Sequence, residues 1–149
     1  MIYKKVDLES VNAFCPSLNP FRQLMTANLR SLPFGVKCYF FSTDFLNWTN
    51  SRDRCVEKGG HLAIITSQAE QVSGGPHWFG LNDLETEGKW MWVNNQFWNK
   101  GKDGASQPNN RKDEDPSGEN CASLGNENGD FTKWFDASCS KTRQYLCEM

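Results

Sequence analysis

The chain has 149 residues and a formal net charge of −2, which leaves room for a single domain with one hydrophobic core. The nearly balanced charge provides no electrostatic basis for binding nucleic acid or an anionic membrane surface. No apolar run approaches the roughly 20 residues that a membrane-spanning helix needs. The six tryptophans and ten phenylalanines instead favour a compact core rich in aromatic side chains.

The N-terminal part is predicted to combine a flexible leader, residues 1–14, with an amphipathic helix at about 20–31. Asn19 is a favourable N-cap and Pro20 suits the first helical position. Apolar residues then recur at helical spacing until Gly35. The opening "MIYKKVDLES" lacks the apolar segment of a signal peptide, so we expect any targeting or anchoring segment to lie outside this sequence.

The following segments predict a strand, a helix, a second strand and a short second helix. "KCYFFS" is typical of an aromatic strand. "NWTNSRDRCVEKGG" is typical of a helix that ends at its two glycines and turns Trp48, Cys55 and Val56 inward. "HLAII" is an apolar strand. Ser67 and Glu70 have the spacing of a capping box, which predicts a second helix that "SGGP" ends early.

The C-terminal half consists of short strand-like segments and one long polar region, residues 94–120. The strand-like segments are, in chain order, "HWFGL", "KWMWV", "CASL", "KWFD" and "QYLCEM". Because helices come early and are followed by short strands and long loops, the order predicts an α+β fold with antiparallel pairing.

Six cysteines occur without a C-x-x-C pair and with only two histidines, which argues against a zinc site. Three disulfides formed in an oxidising compartment fit the even count, and six reduced cysteines in a cytosolic protein are the alternative. The sequon Asn47-Trp48-Thr49 agrees with a secretory protein. We therefore expect an extracellular domain stabilised by disulfides.

A set of segments from Cys38 to the C-terminus carries a family resemblance. The segments are "CYFFS", "NWTNSRDRCVEKGGHLAII", "HWFGLNDLETEGKWMWV", "FWNKG", "QPNN", "GENCASL", "KWFDASC" and "YLCEM". In this order they resemble the C-type lectin-like domain. The resemblance implies an α+β domain at 15–149, in which two helices flank small antiparallel sheets and a long loop region carries the ligand site. Residues 15–37, which include the predicted amphipathic helix, are then an N-terminal insertion.

The resemblance also implies the disulfide pairing. The implied pairs are Cys55–Cys147, Cys121–Cys139 and, as in the family's long form, Cys15–Cys38. The helix that begins at Ser67 is shorter than the second helix of the family. The inserted helix at about 20–31 either covers apolar surface that the shortened helix leaves open or is an independent decoration.

The polar region corresponds to the principal calcium site of sugar-binding family members. The ligand positions correspond to Gln107, Asn109, Glu119, Phe135 and Asp136. Calcium takes oxygen ligands, which Phe135 cannot supply. In the family, Glu-Pro-Asn accompanies mannose-type binding and Gln-Pro-Asp accompanies galactose-type binding, so the Gln-Pro-Asn motif of this chain is mixed. Since only Glu119 and Asp136 remain as carboxylates, we expect weak calcium binding at this site or none.

An auxiliary calcium site is better preserved by the same resemblance. Its ligands correspond to Asp83, Glu87, Asn110, Glu119 and Asn120. Three carboxylates remain, so calcium is expected here rather than at the principal site. In the alternative interpretation, Asp83 and Glu87 merely cap a turn.

Arg111 takes the position at which galactose-type members stack an aromatic ring, and an arginine can hydrogen-bond an acidic sugar or a sulfate.

Two functions compete. The first is calcium-dependent binding of a glycan on a glycoprotein or microbial surface, by a secreted lectin or an innate-immune receptor ectodomain. The second is recognition of a protein or lipid partner, without calcium or with a purely structural calcium, through an aromatic surface of Phe97, Trp98 and Phe135. Ice binding, which some relatives perform, is a distant third.

An enzyme is not expected, because neither histidine belongs to a recognisable catalytic arrangement. Homo-oligomerisation is left open.

Overall fold

The computed structural model describes residues 13–14, by their backbone, and residues 38–65, 76–98, 108–125 and 134–149. The described elements are β1 (Ala13–Phe14), β2 (Tyr39–Phe41), α1 (Trp48–Glu57), β3 (His61–Leu62), β4 (His77–Asn82), β5 (Met91–Trp92), β6 (Cys121–Leu124), β7 (Trp134–Ala137) and β8 (Gln144–Glu148). Each predicted strand from "KCYFFS" onward overlaps one of these strands, and β4 and β7 each extend one residue beyond their predicted segments. The predicted α+β class is confirmed.

The described strands form a sheet in the order β1-β2-β8-β4-β6-β7, with β3 beside β8 and β5 beside β4. Most neighbours are antiparallel, as predicted, but β4 and β8 pair in parallel through His77↔Gln144 and Trp78↔Tyr145. This junction departs from the predicted antiparallel pairing. A parallel pair needs a long connection, and β5, β6 and β7 all lie between β4 and β8 in the chain.

The ends of α1 follow from local sequence. The Asn47 side-chain oxygen accepts the Asn50 N–H at 2.8 Å, which satisfies one of the free donors of the first turn. At the other end, the backbone N–H of Lys58 donates to carbonyls of the last turn. Gly59 follows with φ of +90°, a left-handed conformation that glycine adopts at little cost.

The buried face of α1 consists of Trp48, Ser51 and Cys55. The prediction that Trp48 and Cys55 point inward is confirmed. The prediction for Val56 is wrong, because its side chain is 62% exposed. Each residue turns a helix by about 100°, so the position after Cys55 leaves the buried face.

Two clusters of buried side chains form the core. The first contains the fully buried Trp48, Trp78 and Tyr145, which come from α1, β4 and β8. Its indole groups are satisfied, since Trp48 Nε1 donates to Phe79 O at 2.9 Å and Trp78 Nε1 donates to Leu46 O at 3.0 Å. The second cluster is also aromatic and comprises Tyr39, Ala63, Phe79, Leu81, Trp90, Ala122 and Leu146.

Two of the three predicted disulfides lie within the described residues and are confirmed. Cys55–Cys147 joins α1 to β8, and Cys121–Cys139 joins β6 to the segment after β7. Cys38 is also disulfide-bonded. Its predicted partner, Cys15, lies outside the described residues, so that pairing stays a prediction.

Several predictions fall on other parts of the chain. The amphipathic helix at about 20–31 and the short helix from Ser67 lie outside the described residues, as does the predicted leader up to residue 12. Residues 13–14, which end the predicted leader, form β1 and pair with β2. In the part of the chain that the structure describes, no helix is long and apolar enough to cross a membrane.

Candidate metal centre

The turn after β4 carries the first predicted calcium ligands. Asp83 is buried, and its Oδ2 accepts the Gly88 N–H at 2.8 Å. The Asp83 N–H donates to Asn120 O at 3.0 Å, which joins this turn to the end of the polar loop. Gly88 has φ of +83°, which favours glycine. Asp83 therefore does cap its turn, as the alternative interpretation expects, but it uses only one carboxylate oxygen to do so.

Asn110 connects three other predicted ligand residues. Its backbone N–H donates to Asp136 Oδ2 at 2.6 Å, and its side-chain Nδ2 donates to Glu87 Oε1. Its Oδ1 accepts the Glu119 N–H at 2.9 Å. Asn110 has φ of +48°, a left-handed conformation that asparagine tolerates better than most residues. The structure thus brings Glu87, Glu119 and Asp136 together around one residue, with Glu119 held through its backbone N–H.

Gly118 makes this arrangement possible, although the sequence reasoning did not identify it. It is buried, its φ is +89°, and a Cβ atom there would collide with Asn110 Oδ1. Any other residue would both strain the backbone and displace the side chain that contacts Glu119. The available signal is a glycine directly before a predicted ligand in "SGENC".

The loop between Asn110 and Gly118 contacts the segment after β7 through hydrogen bonds and an ion pair. Asp115 accepts the hydroxyls of Ser117 and Ser138 at 2.6 and 2.5 Å. The Ser117 hydroxyl, followed by the Ser138 hydroxyl and the Ser117 N–H, lowers the pKa of Asp115 below its usual value. Lys141 Nζ lies 2.6 Å from Glu114 Oε2. These contacts hold the loop against the segment that follows Asp136.

The clustered carboxylates repel one another. Burial raises the pKa of Asp83 to about 6, and the nearby Glu87 and Asp136 add to the rise against the Gly88 N–H, which lowers the pKa. Burial also raises the pKa of Glu119 to about 7, and Asp136 adds to this rise. A bound proton or cation relieves such repulsion, so the cluster has the electrostatics of a cation site.

Two buried oxygen atoms of the cluster indicate that it lacks a hydrogen-bond donor or a cation. Asp83 Oδ1 and Asn120 Oδ1 have no hydrogen-bond partner among the described residues. Buried polar atoms are nearly always partnered, by protein groups, ordered water or an ion. Carboxylate and amide oxygens are the ligands that calcium takes, so the donor set of the auxiliary site fits calcium.

The carboxylate groups of this cluster do not converge on one position that a metal ion could occupy. Within the described ranges, no three Asp, Glu, His or Cys side chains form a group that can hold a metal ion by themselves. The N–H groups of Asn110 instead occupy oxygen atoms of Glu87 and Asp136. A calcium ion bound here would have to replace these N–H donors as the group that faces the carboxylates.

The principal set is less complete. Gln107 lies outside the described residues. Asn109 is exposed, and its Oδ1 accepts the Arg111 N–H at 3.3 Å. The Arg111 side chain is also exposed and pairs with Asp113 at 2.8 Å. Phe135 is partly buried on β7, and its side chain has no oxygen atom to offer a cation.

The predicted aromatic surface is largely absent. Phe97 is exposed, at 59%, as predicted. Trp98 is partly buried, because its ring packs edge-on against Trp134 with centroids 5.3 Å apart. Phe135 is also partly buried, so the prediction that these residues form an exposed aromatic anchor is wrong for Trp98 and Phe135.

A comparison with protein-family models matches residues 45–149 to the family described as "Lectin C-type domain". The chain belongs to this family. Among its relatives, human C-type lectin domain family 17, member A is 39% identical over 129 residues, which are 78% of this chain and 30% of that protein. This C-type lectin domain thus spans less than a third of the length of that relative, which is a larger protein.

Solved structures of other C-type lectin domains share the fold. The mouse scavenger receptor C-type lectin carbohydrate-recognition domain superposes with a TM-score of 0.66 at 30% identity, covering 79% of this chain and 93% of that chain. The trimeric Kupffer cell C-type lectin receptor Clec4f gives a TM-score of 0.67 at 30% identity, covering 86% and 89%. The chain is therefore a C-type lectin domain with a disulfide-stapled α+β fold.

Proposed function

We propose that this C-type lectin domain is a calcium-dependent glycan-binding module of a secreted lectin or a cell-surface receptor. The role is binding rather than catalysis, in line with the carbohydrate-recognition domain that it resembles in structure. The disulfides and the family both support an extracellular location. The glycan belongs to a glycoprotein or a microbial surface.

The observation that carries the proposal is the cluster of oxygen donors around Asn110. Asp83 and Asn120 each present a buried oxygen without a hydrogen-bond partner among the described residues. Burial and neighbouring charge raise the pKa of both Asp83 and Glu119, so deprotonated carboxylates there need a positive counter-charge. Calcium, when bound, supplies that charge and orders the loop. The residues that hold it in this proposal are Asp83, Glu87, Asn110, Glu119 and Asn120.

The glycan contacts in this proposal lie beside that cluster, on Gln107, Asn109, Arg111 and Asp136, with Glu119 shared between both sites. Asn109 and Arg111 are exposed and carry hydrogen-bonding groups. Phe135 removes one oxygen from the principal calcium set, so sugar binding is weaker than in members with a complete set. The guanidinium of Arg111 favours acidic or sulfated sugars.

A glycan array with and without chelator tests the proposal. We expect binding that needs calcium and that falls at least tenfold in Glu119→Gln, because this change removes a carboxylate from both sites. Glu85→Gln, which neutralises an exposed acid in the turn that carries Asp83, is the matched control and should bind like the wild type. Phe135→Asn combined with Gln107→Glu should strengthen mannose-type binding. A double variant that binds no mannose would show that these positions do not form the site.

Recognition of a protein or lipid partner is the second candidate function. It is supported by Phe135, which cannot bind calcium, and by the exposed ring of Phe97. In this case the array stays blank with and without calcium. Phe97→Ala would then weaken binding to the partner, whereas glycan binding does not depend on Phe97.

A further inference from the structure

The segment before α1 is extended and has one inner and one outer side. Leu46 exchanges two backbone hydrogen bonds with Arg143, each of 2.9 Å, and its side chain packs against the first core cluster. Neighbouring side chains of an extended segment point to opposite sides. Phe45 and Asn47 therefore lie on the outer side, and Phe45 is 61% exposed.

Asn47 has one half of its amide engaged and the other half available. Its Oδ1 accepts the Asn50 N–H as the N-cap of α1. Its Nδ2 has no hydrogen-bond partner among the residues that the structure describes, and Thr49, two residues on, is exposed. Asn47-Trp48-Thr49 is also the one Asn-x-Ser/Thr triplet in the sequence.

We propose that Asn47 is N-glycosylated in the secretory pathway and that the ring of Phe45 packs against the first sugar. In the transfer, the bond between the anomeric carbon of N-acetylglucosamine and the pyrophosphate of a lipid-linked oligosaccharide breaks. A bond from that carbon to Asn47 Nδ2 forms, Nδ2 loses one proton, and the lipid pyrophosphate leaves. Oδ1 is unchanged, so the glycosylated side chain still caps α1.

The exposed ring of Phe45 is explained by this modification. Residues two apart on an extended segment share a side, so Phe45 and the glycan on Asn47 project together. An apolar ring against the C–H face of a sugar loses exposed surface, which stabilises the folded form. The inference requires only passage through the secretory pathway, for which the disulfides argue, and does not depend on calcium or glycan binding at the loop site.

Expression of the whole chain behind a signal peptide in animal cells tests the site. We expect one enzymatically removable N-glycan, found by mass spectrometry on the peptide that contains Asn47. Thr49→Ala removes the sequon and Asn47→Asp removes the acceptor nitrogen while keeping the capping oxygen. Both variants should be secreted without the glycan. A secreted wild-type chain that carries no glycan would overturn the proposal.

The role of Phe45 is tested by comparing each protein before and after removal of the glycan, which leaves an aspartate that still caps α1. The glycan should raise the melting temperature of the wild type, and this gain should be lost in Phe45→Ala. Phe97→Ala removes a similarly exposed ring elsewhere and should keep the gain. An equal gain in Phe45→Ala would show that the ring does not contact the sugar, while the modification itself stands on the glycan mass.

Discussion

The core around Cys55–Cys147 and the loop region around Asn110 differ in how their buried polar groups are satisfied. In the core, Trp48, Trp78 and Tyr145 are fully buried, and the two indole N–H groups donate to backbone carbonyls. In the loop region, burial and then neighbouring acidic side chains raise the pKa of Asp83 and of Glu119. The indole groups of the core thus have acceptors within the protein, whereas Asp83 Oδ1 and Asn120 Oδ1 of the loop region have no hydrogen-bond partner among the described residues.

This difference indicates that the core and the loop region have separate roles. The apolar core and the disulfide between α1 and β8 provide stability that does not depend on a ligand. The loop region is held in place by that scaffold, yet its charges favour a bound cation. Changes in the core should therefore lower stability in every condition, and changes in the loop region should matter mainly through calcium.

The disulfides give the largest expected effect. Cys55–Cys147 closes 92 residues and Cys121–Cys139 closes 18. Loop-entropy arguments predict that replacing both cysteines by serine lowers the free energy of unfolding by about 5 kcal/mol for the first pair and about 3 kcal/mol for the second. Urea unfolding measures both values.

The same pair of variants also separates the two regions. Cys121 directly follows Asn120 in the candidate site, so loss of Cys121–Cys139 should also weaken the stabilisation by calcium. Loss of Cys55–Cys147 should leave that calcium effect in place in whatever fraction still folds. Equal calcium responses in both variants would contradict these separate roles.

Gly118→Ala gives the next largest effect. The new methyl group meets Asn110 Oδ1 and the residue must hold a positive φ, so we expect a loss of about 1–3 kcal/mol and weaker calcium binding. Gly59→Ala is the matched control, because it also has positive φ but nothing lies within 4 Å of the added atom. It should lose about 1 kcal/mol and bind calcium normally. If both variants bound calcium equally, the contact between Gly118 and Asn110 would be irrelevant to the site.

The smallest expected effect is the pH dependence of the calcium-free domain. The folded-state pKa of Glu119 is about 7, above the unfolded value of 4.5, so the folded form binds more protons between these values. The contribution of Glu119 to stability therefore falls as pH rises through this window. The contribution of Asp83 falls in the same direction between 3.8 and about 6.

Thermal unfolding in chelator across pH 4–8 measures this slope, with Glu119→Gln as the reference. The difference in stability between the wild type and Glu119→Gln should shift against the wild type as pH rises, and added calcium should remove that shift. Parallel pH profiles for the two proteins would show that Glu119 does not titrate in this range.

The sequence predicted the scaffold better than the site because scaffold signals are local. The N-cap at Asn47 and the alternation within the strands act over a few residues, and they placed α1 and the strand-like segments correctly. Val56 was misassigned by one helical position, because an apolar residue next to the buried face looks the same in sequence. Trp98 was misassigned because its burial depends on Trp134, which is far away in the sequence but packs against it in the fold.

The site residues depend on contacts across the chain. Family resemblance named the candidate ligands, but no local pattern shows that Asn110 hydrogen-bonds Glu87, Glu119 and Asp136. The need for glycine at position 118 follows from the Asn110 side chain, which lies against it only in the folded protein. Such through-space requirements appear only once the loop and β7 are placed together.

The most direct test is calorimetric titration of the chelator-stripped domain with calcium at neutral pH. We predict saturable binding with a dissociation constant of about 10⁻⁴ to 10⁻³ M, typical of extracellular modules. Glu119→Gln should abolish the binding heat, and Glu85→Gln should preserve it. No heat at millimolar calcium, or equal binding in Glu119→Gln, would contradict a calcium site built around Asn110.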